Sequence, residues 1–125
     1  MKIKIALTFF LMSFTTALVA QSKYVVKADL SYASENYFES AELCALAYTK
    51  LTRKGGGALK KKADMAFKTA ESFRLTERYR DANEWYDRCI LLEYQKVVPE
   101  VFLYNGEMLL MMAEYAKAQS NFEDY

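Results

Sequence analysis

No histidine occurs anywhere in the 125 residues. That absence removes the commonest general base, the usual nucleophile–histidine–carboxylate triads and most zinc sites. Cysteine is nearly as scarce. Cys44 and Cys89 are the only two and cannot form a Cys-x-x-Cys pair. Glycine is limited to four residues, three of them consecutive at Gly55-Gly56-Gly57, so neither a glycine-rich dinucleotide fingerprint nor a phosphate loop exists here. Carboxylates remain, with Glu35, Glu39 and Glu42 in one stretch and Glu71 near Glu77, but acidic residues at helical spacing form a solvated face. The expectation is a protein that is not an enzyme, has no catalytic, cofactor-binding or metal-binding residue, and takes no small-molecule substrate.

An excess of one charge is also missing. The full sequence carries 17 basic and 16 acidic side chains, a balance that gives no electrostatic case for nucleic acid. The one basic cluster, Arg53-Lys54 and Lys60-Lys61-Lys62, flanks the triple glycine. It reads as a solvated helix end and start, with contact to an anionic surface as the alternative.

At the N-terminus, Lys2 and Lys4 precede an apolar run from Ile5 to Val19 that closes at Ala20-Gln21-Ser22. This is the layout of a secretory signal peptide over residues 1–20. The run includes Ser13, Thr15 and Thr16 and falls short of the ~20 residues a spanning helix needs. No cysteine stands directly after the run to accept a lipid. The expected mature chain, residues 21–125, is periplasmic or secreted and has no transmembrane segment. Export makes a disulfide chemically possible, yet Cys44 and Cys89 each fall on the apolar side of a predicted helix, where free cysteine serves as a small hydrophobe.

With a single proline, Pro99, the helical periods run almost uninterrupted. Spacings of three and four predict a first helix capped by Ser22 and running to about Ser34, and a second from Tyr37 to Arg53, stopped by the triple glycine. A third covers Ala58 to Leu75, a fourth Tyr79 to Tyr94, a fifth begins at Pro99 and reaches about Met112, and a sixth opens at Tyr115. Tyr37, Tyr79 and Tyr115 lie 42 and 36 residues apart. Each leads a stretch with a small residue three positions on (Ser40, Ala82, Ala118) and a larger one four beyond that (Cys44, Tyr86, Phe122). The preceding helices carry small residues at the matching positions Ala28, Ala70 and Gly106. Small residues are needed where helix backbones approach closely.

These positions resemble the tetratricopeptide repeat (TPR). The resemblance implies an all-α, TPR-like helical solenoid of about three helix-turn-helix repeats, with the first as a terminal unit. The stretches 66–75, 82–86 and 102–107 also resemble the N-terminal repeats of exported OmpA-family cell-envelope proteins, some of which belong to type IX secretion and gliding assemblies. That likeness implies a non-catalytic scaffold of the envelope whose partners are other envelope proteins. It also implies association with the outer membrane through a partner or a further domain. The helix opened at Tyr115 reaches Tyr125 without a capping glycine or a polar closing helix, so the domain is expected to be truncated at its C-terminal end. A structural spacer or a small periplasmic adaptor is the alternative role.

The repeat register also nominates a partner-binding face. One position holds Val25, Phe67 and Leu103, a second Asp29, Glu71 and Glu107, a third Tyr32, Arg74 and Leu110. The expected groove is apolar with an acidic stripe. Packing of these side chains under neighbouring helices is the alternative.

Overall fold

The computed structural model describes residues 23–51 and 56–125. Ordered along the chain are α1 (23–33), α2 (Tyr37–Lys50), α3 (Gly56–Leu75), α4 (Tyr79–Leu91), a short 3₁₀ turn (Tyr94–Lys96), α5 (Glu100–Met111) and α6 (Tyr115–Asp124). The expected leader at 1–20, Ser22, Arg53, Lys54 and Gly55 lie outside the described residues. Among the described residues no helix is long and apolar enough to cross a membrane. The helices pack sequentially, each against its neighbour in the chain.

The ends of α1, α3 and α5 share one backbone arrangement. At the end of α1 the Asn36 N–H donates to the Ser31 carbonyl (3.2 Å) and the Glu35 N–H to that of Tyr32 (3.0 Å). After α3, Arg78 donates to Phe73 (2.9 Å) and Glu77 to Arg74 (3.1 Å); after α5, Glu114 donates to Leu109 (2.8 Å) and Ala113 to Leu110 (3.0 Å). This is the paired-bond helix stop in which one residue turns left-handed to satisfy the last carbonyls. The left-handed residues are Glu35, Glu77 and Ala113, with φ of 59°, 61° and 61°. None is glycine, so each holds its Cβ against a carbonyl at a cost of roughly 1–2 kcal/mol. Glu77→Gly should therefore raise stability by about 1 kcal/mol, after allowing for the greater freedom of glycine in the unfolded chain. Thermal or urea unfolding reads this directly. A lower midpoint would show that the exposed Glu77 side chain outweighs its backbone strain.

One predicted boundary is corrected. The triple glycine does not stop the second helix: α2 ends at Lys50, Leu51 is extended, and Gly56 and Gly57 lie in α3. The stop comes from a side chain of the next helix. Lys62, 9% exposed, sends its Nζ to the carbonyls of Tyr48 (3.1 Å) and Leu51 (3.2 Å) and lies 4.2 Å from the Tyr48 ring centroid. A cation at the carboxyl end of a helix satisfies orphan carbonyls and complements the helix dipole.

The small positions sit where the helices meet. Ala28, Ser40, Ala70 and Ala82 are fully buried, Ala118 nearly so, and Gly106 is buried. A Cβ on Gly106 would come within 2.5, 2.7 and 2.9 Å of Phe122 ring atoms, so the bare backbone of α5 makes the seat for that ring. Of the larger partners, Cys44 and Tyr86 are wholly buried, whereas Phe122 is 38% exposed. Two apolar clusters result. One joins Ala28, Cys44, Ala47 and Met65 across α1, α2 and α3, and the other is centred on Ala70, Ala82, Tyr86, Cys89 and Val101. Both cysteines are free and buried.

Candidate interaction face

The first helices of the three pairs, α1, α3 and α5, are neighbours. Lys61 and Lys68 of α3 both bond Asp29 of α1, at 3.0 and 2.7 Å, and both reach Asp64 of α3, at 3.3 and 3.1 Å. Farther along α3, the Arg74 guanidinium lies 4.4 Å from the ring centroid of Tyr104 on α5. The nine predicted face residues are thus carried on three adjoining helices, but their side chains have different roles.

Val25 and Tyr32 are half-buried and pack on the first apolar cluster. Phe67 packs on the second, with ring centroids 6.5 Å from Tyr86 and 5.2 Å from Tyr94. Asp29 is neutralised by its two lysines. Burial alone would raise its pKa, but the bonds from Lys68 and Lys61 outweigh that and hold it below the usual carboxylate value.

Glu71 is 6% exposed. Its oxygens accept from Arg74 Nε (3.0 Å) and Nη2 (2.7 Å), and Tyr86, wholly buried, donates its hydroxyl to the same carboxylate. The expected acidic stripe is therefore not continuous, because two of its three carboxylates are consumed by contacts within the fold. Glu107 is the exposed one. Beside it on α5, Leu110 is 49% and Met111 60% exposed, and Leu103 is half-buried.

Reading one position along the register would have found the missed participants. Lys68 and Tyr104 follow Phe67 and Leu103, while Leu75 and Met111 follow Arg74 and Leu110. Leu75 is 44% exposed. Among the described residues no group of three or more acidic or cysteine side chains is placed to hold a metal ion.

Buried Tyr86 and the half-buried Tyr32 and Tyr94 make the fold sensitive to alkali. Burial, then the Glu71 charge, pushes Tyr32 up to about 12; burial, then Asp64, does the same for Tyr94; burial and Glu71 raise Tyr86 further. A phenol whose folded pKa is raised favours folding fully below its unfolded value of 10.0 and loses that contribution as pH rises through the folded value. Helicity should thus be level up to about pH 10 and fall cooperatively towards pH 12 and beyond. Tyr86→Phe should be less stable at neutral pH yet lose less of its stability over that interval. Equal losses in the two proteins would remove Tyr86 from the account. Neither a family model, nor a curated protein, nor a solved structure matches the chain.

Proposed function

We propose that the chain is a TPR-like array that acts as a non-catalytic protein–protein interaction scaffold of the bacterial cell envelope. The observation that carries this reading is the pairing of exposed Leu110 and Met111 with exposed Glu107 on α5. Apolar side chains left in solvent beside a charge mark a contact surface more often than a spacer. The thrice-repeated helix stop supports the repeat reading, and the leader-like N-terminus supports export. The partner is an extended or helical apolar segment of another envelope protein. Leucine and methionine supply affinity, and Glu107 favours a basic residue and sets association rate more than strength, because an exposed pair contributes only ~0–1 kcal/mol.

A photo-crosslinking residue placed at position 110, compared with one at the exposed position 84 of α4, tests this in the native envelope. A discrete adduct at 110 that is absent at 84 and lost on Leu103→Ala or Glu107→Lys is the expected result. If folded variants give the same adducts at both positions, or none, the α5 face is not the binding surface and the spacer role replaces it.

A further inference from the structure

The consecutive lysines of α3 have separate fates. Lys61 is held by Asp29 (3.0 Å) and Asp64 (3.3 Å), and Lys62 closes the end of α2. Lys60 is exposed and lines an open hollow of about 430 Å³ with Leu59, Leu92, Lys96 and Val97. Leu92 also lines a second hollow, of about 280 Å³, with Arg88 and Leu91, so the two adjoin. These side chains gather because α3 starts and α4 ends at the same edge of the array, along which the 3₁₀ turn carries the chain to α5.

For a connecting edge it is strongly apolar. Leu91 is 82% exposed, more than any other large apolar side chain among the described residues, and Val97 is 63% and Leu59 40% exposed. Around them stand Lys60, Arg88 and Lys96, against Glu93 as the one acidic residue lining either hollow, a balance of 3 − 1 = +2. Glu93 is itself bonded to Lys96 (2.9 Å), and Arg88 lies 4.1 Å from the ring centroid of Trp85. The nearby carboxylates are engaged or set back. Asp64 is held by Lys61 and Lys68, and Asp87 accepts from Asn105 (3.0 Å). Glu84 stands about two turns before Leu91 on α4, and Glu100 is half-buried at the start of α5.

We propose that this edge docks the protein on a bilayer rich in anionic phospholipid. Leu59, Leu91 and Val97 enter the headgroup layer, and Lys60, Arg88 and Lys96 meet the phosphates. Long basic side chains suit that boundary, since their stems lie along apolar surface while the charge stays in the polar layer. Apolar side chains standing this far out of the fold suit a fluid layer, which closes round them without a matching surface. The edge shares no residue with the α5 face, so either can fail without the other.

The test places an environment-sensitive dye on Val97→Cys, with the buried Cys44 and Cys89 left unlabelled in the folded chain. A second protein carries the dye on Arg80→Cys, at an exposed position at the opposite end of α4. Each is titrated with vesicles of phosphatidylcholine alone and of phosphatidylcholine and phosphatidylglycerol in equal parts. The expected result is a brighter, blue-shifted emission at position 97 with the mixed vesicles only, and no change at position 80. Because the dye reports its own surroundings, entry of the apolar run 5–19 into the bilayer would not by itself separate the two positions. Adding Lys60→Glu or Leu91→Ser to the Val97→Cys protein should each raise the lipid concentration at half-effect roughly tenfold. Both positions are exposed, and unchanged helicity verifies that the variants are folded. No response at 97, an equal response at 80 or to neutral vesicles, or a half-effect concentration that neither substitution moves would overturn the proposal. So would a blue shift produced by raising protein concentration without lipid, which would give the edge to a second copy of the chain.

Discussion

Glu71→Ala is expected to remove about 3 kcal/mol of folding stability, a large fraction of the ~5–15 kcal/mol that holds a small domain together. The carboxylate is 8% exposed and accepts from two groups, the Arg74 guanidinium and the Tyr86 hydroxyl. Arg74, with 23% side-chain exposure, would keep its charge half out of water above Tyr104, and the buried Tyr86 hydroxyl would lose its acceptor. Removing one member of a buried pair costs more than the pair contributes net, because the remaining charge stays desolvated. Glu71→Gln keeps an acceptor for Tyr86 and should fall between the two. Urea unfolding of the three proteins decides the matter, and a loss below about 1 kcal/mol for the alanine variant would mean that water replaces the carboxylate. Charge reversal at Glu71 would accordingly report on folding, so binding specificity has to be probed at Glu107.

Ala82→Trp should cost about 3 kcal/mol or more, by forcing α4 away from α3. Ala82 is fully buried in the cluster that includes Ala66, Ala70 and Tyr86, and nothing around it is free to retreat into solvent. The same change at Ala118 should cost less, since its neighbour Phe122 is already partly exposed and can move outward. At the exposed Ala116 it should stay within about 0.5 kcal/mol. Midpoints of thermal unfolding rank the three. An Ala82→Trp protein as stable as Ala116→Trp would show that α3 and α4 do not meet closely at that residue.

The helices were legible because little interrupts them. With one proline and four glycines, the three- and four-residue periods and the Tyr-x-x-small openings place α3 to α6 within a few residues of their observed starts. The end of α2 was not legible, since its stop is Lys62, a side chain more than ten residues downstream whose reach becomes apparent only once α3 has folded back. The face was half legible for a similar reason. Register correctly placed Asp29, Glu71 and Glu107 on three adjoining helices, yet whether a carboxylate faces solvent depends on Lys61, Lys68, Arg74 and Tyr86. Of these, only Arg74 is close enough in sequence to suggest a pairing. Leu110 and Met111, by contrast, remain exposed on α5.

The two buried thiols divide the molecule's opening into separately readable events. Cys44 lies in the cluster shared by α1, α2 and α3, and Cys89 in the cluster around α4. Burial pushes both thiols up, so neither forms the reactive thiolate while its cluster is closed. Alkylation at either site therefore waits on local unfolding, and its rate measures the free energy of that opening. Because each helix packs mainly on its neighbours along the chain, the N-terminal pair can fray while the centre holds. Cys44 then reacts ahead of Cys89, and the C-terminal pair, which has no thiol, frays without a chemical trace. A single mass spectrum over time would map the order in which the array comes apart.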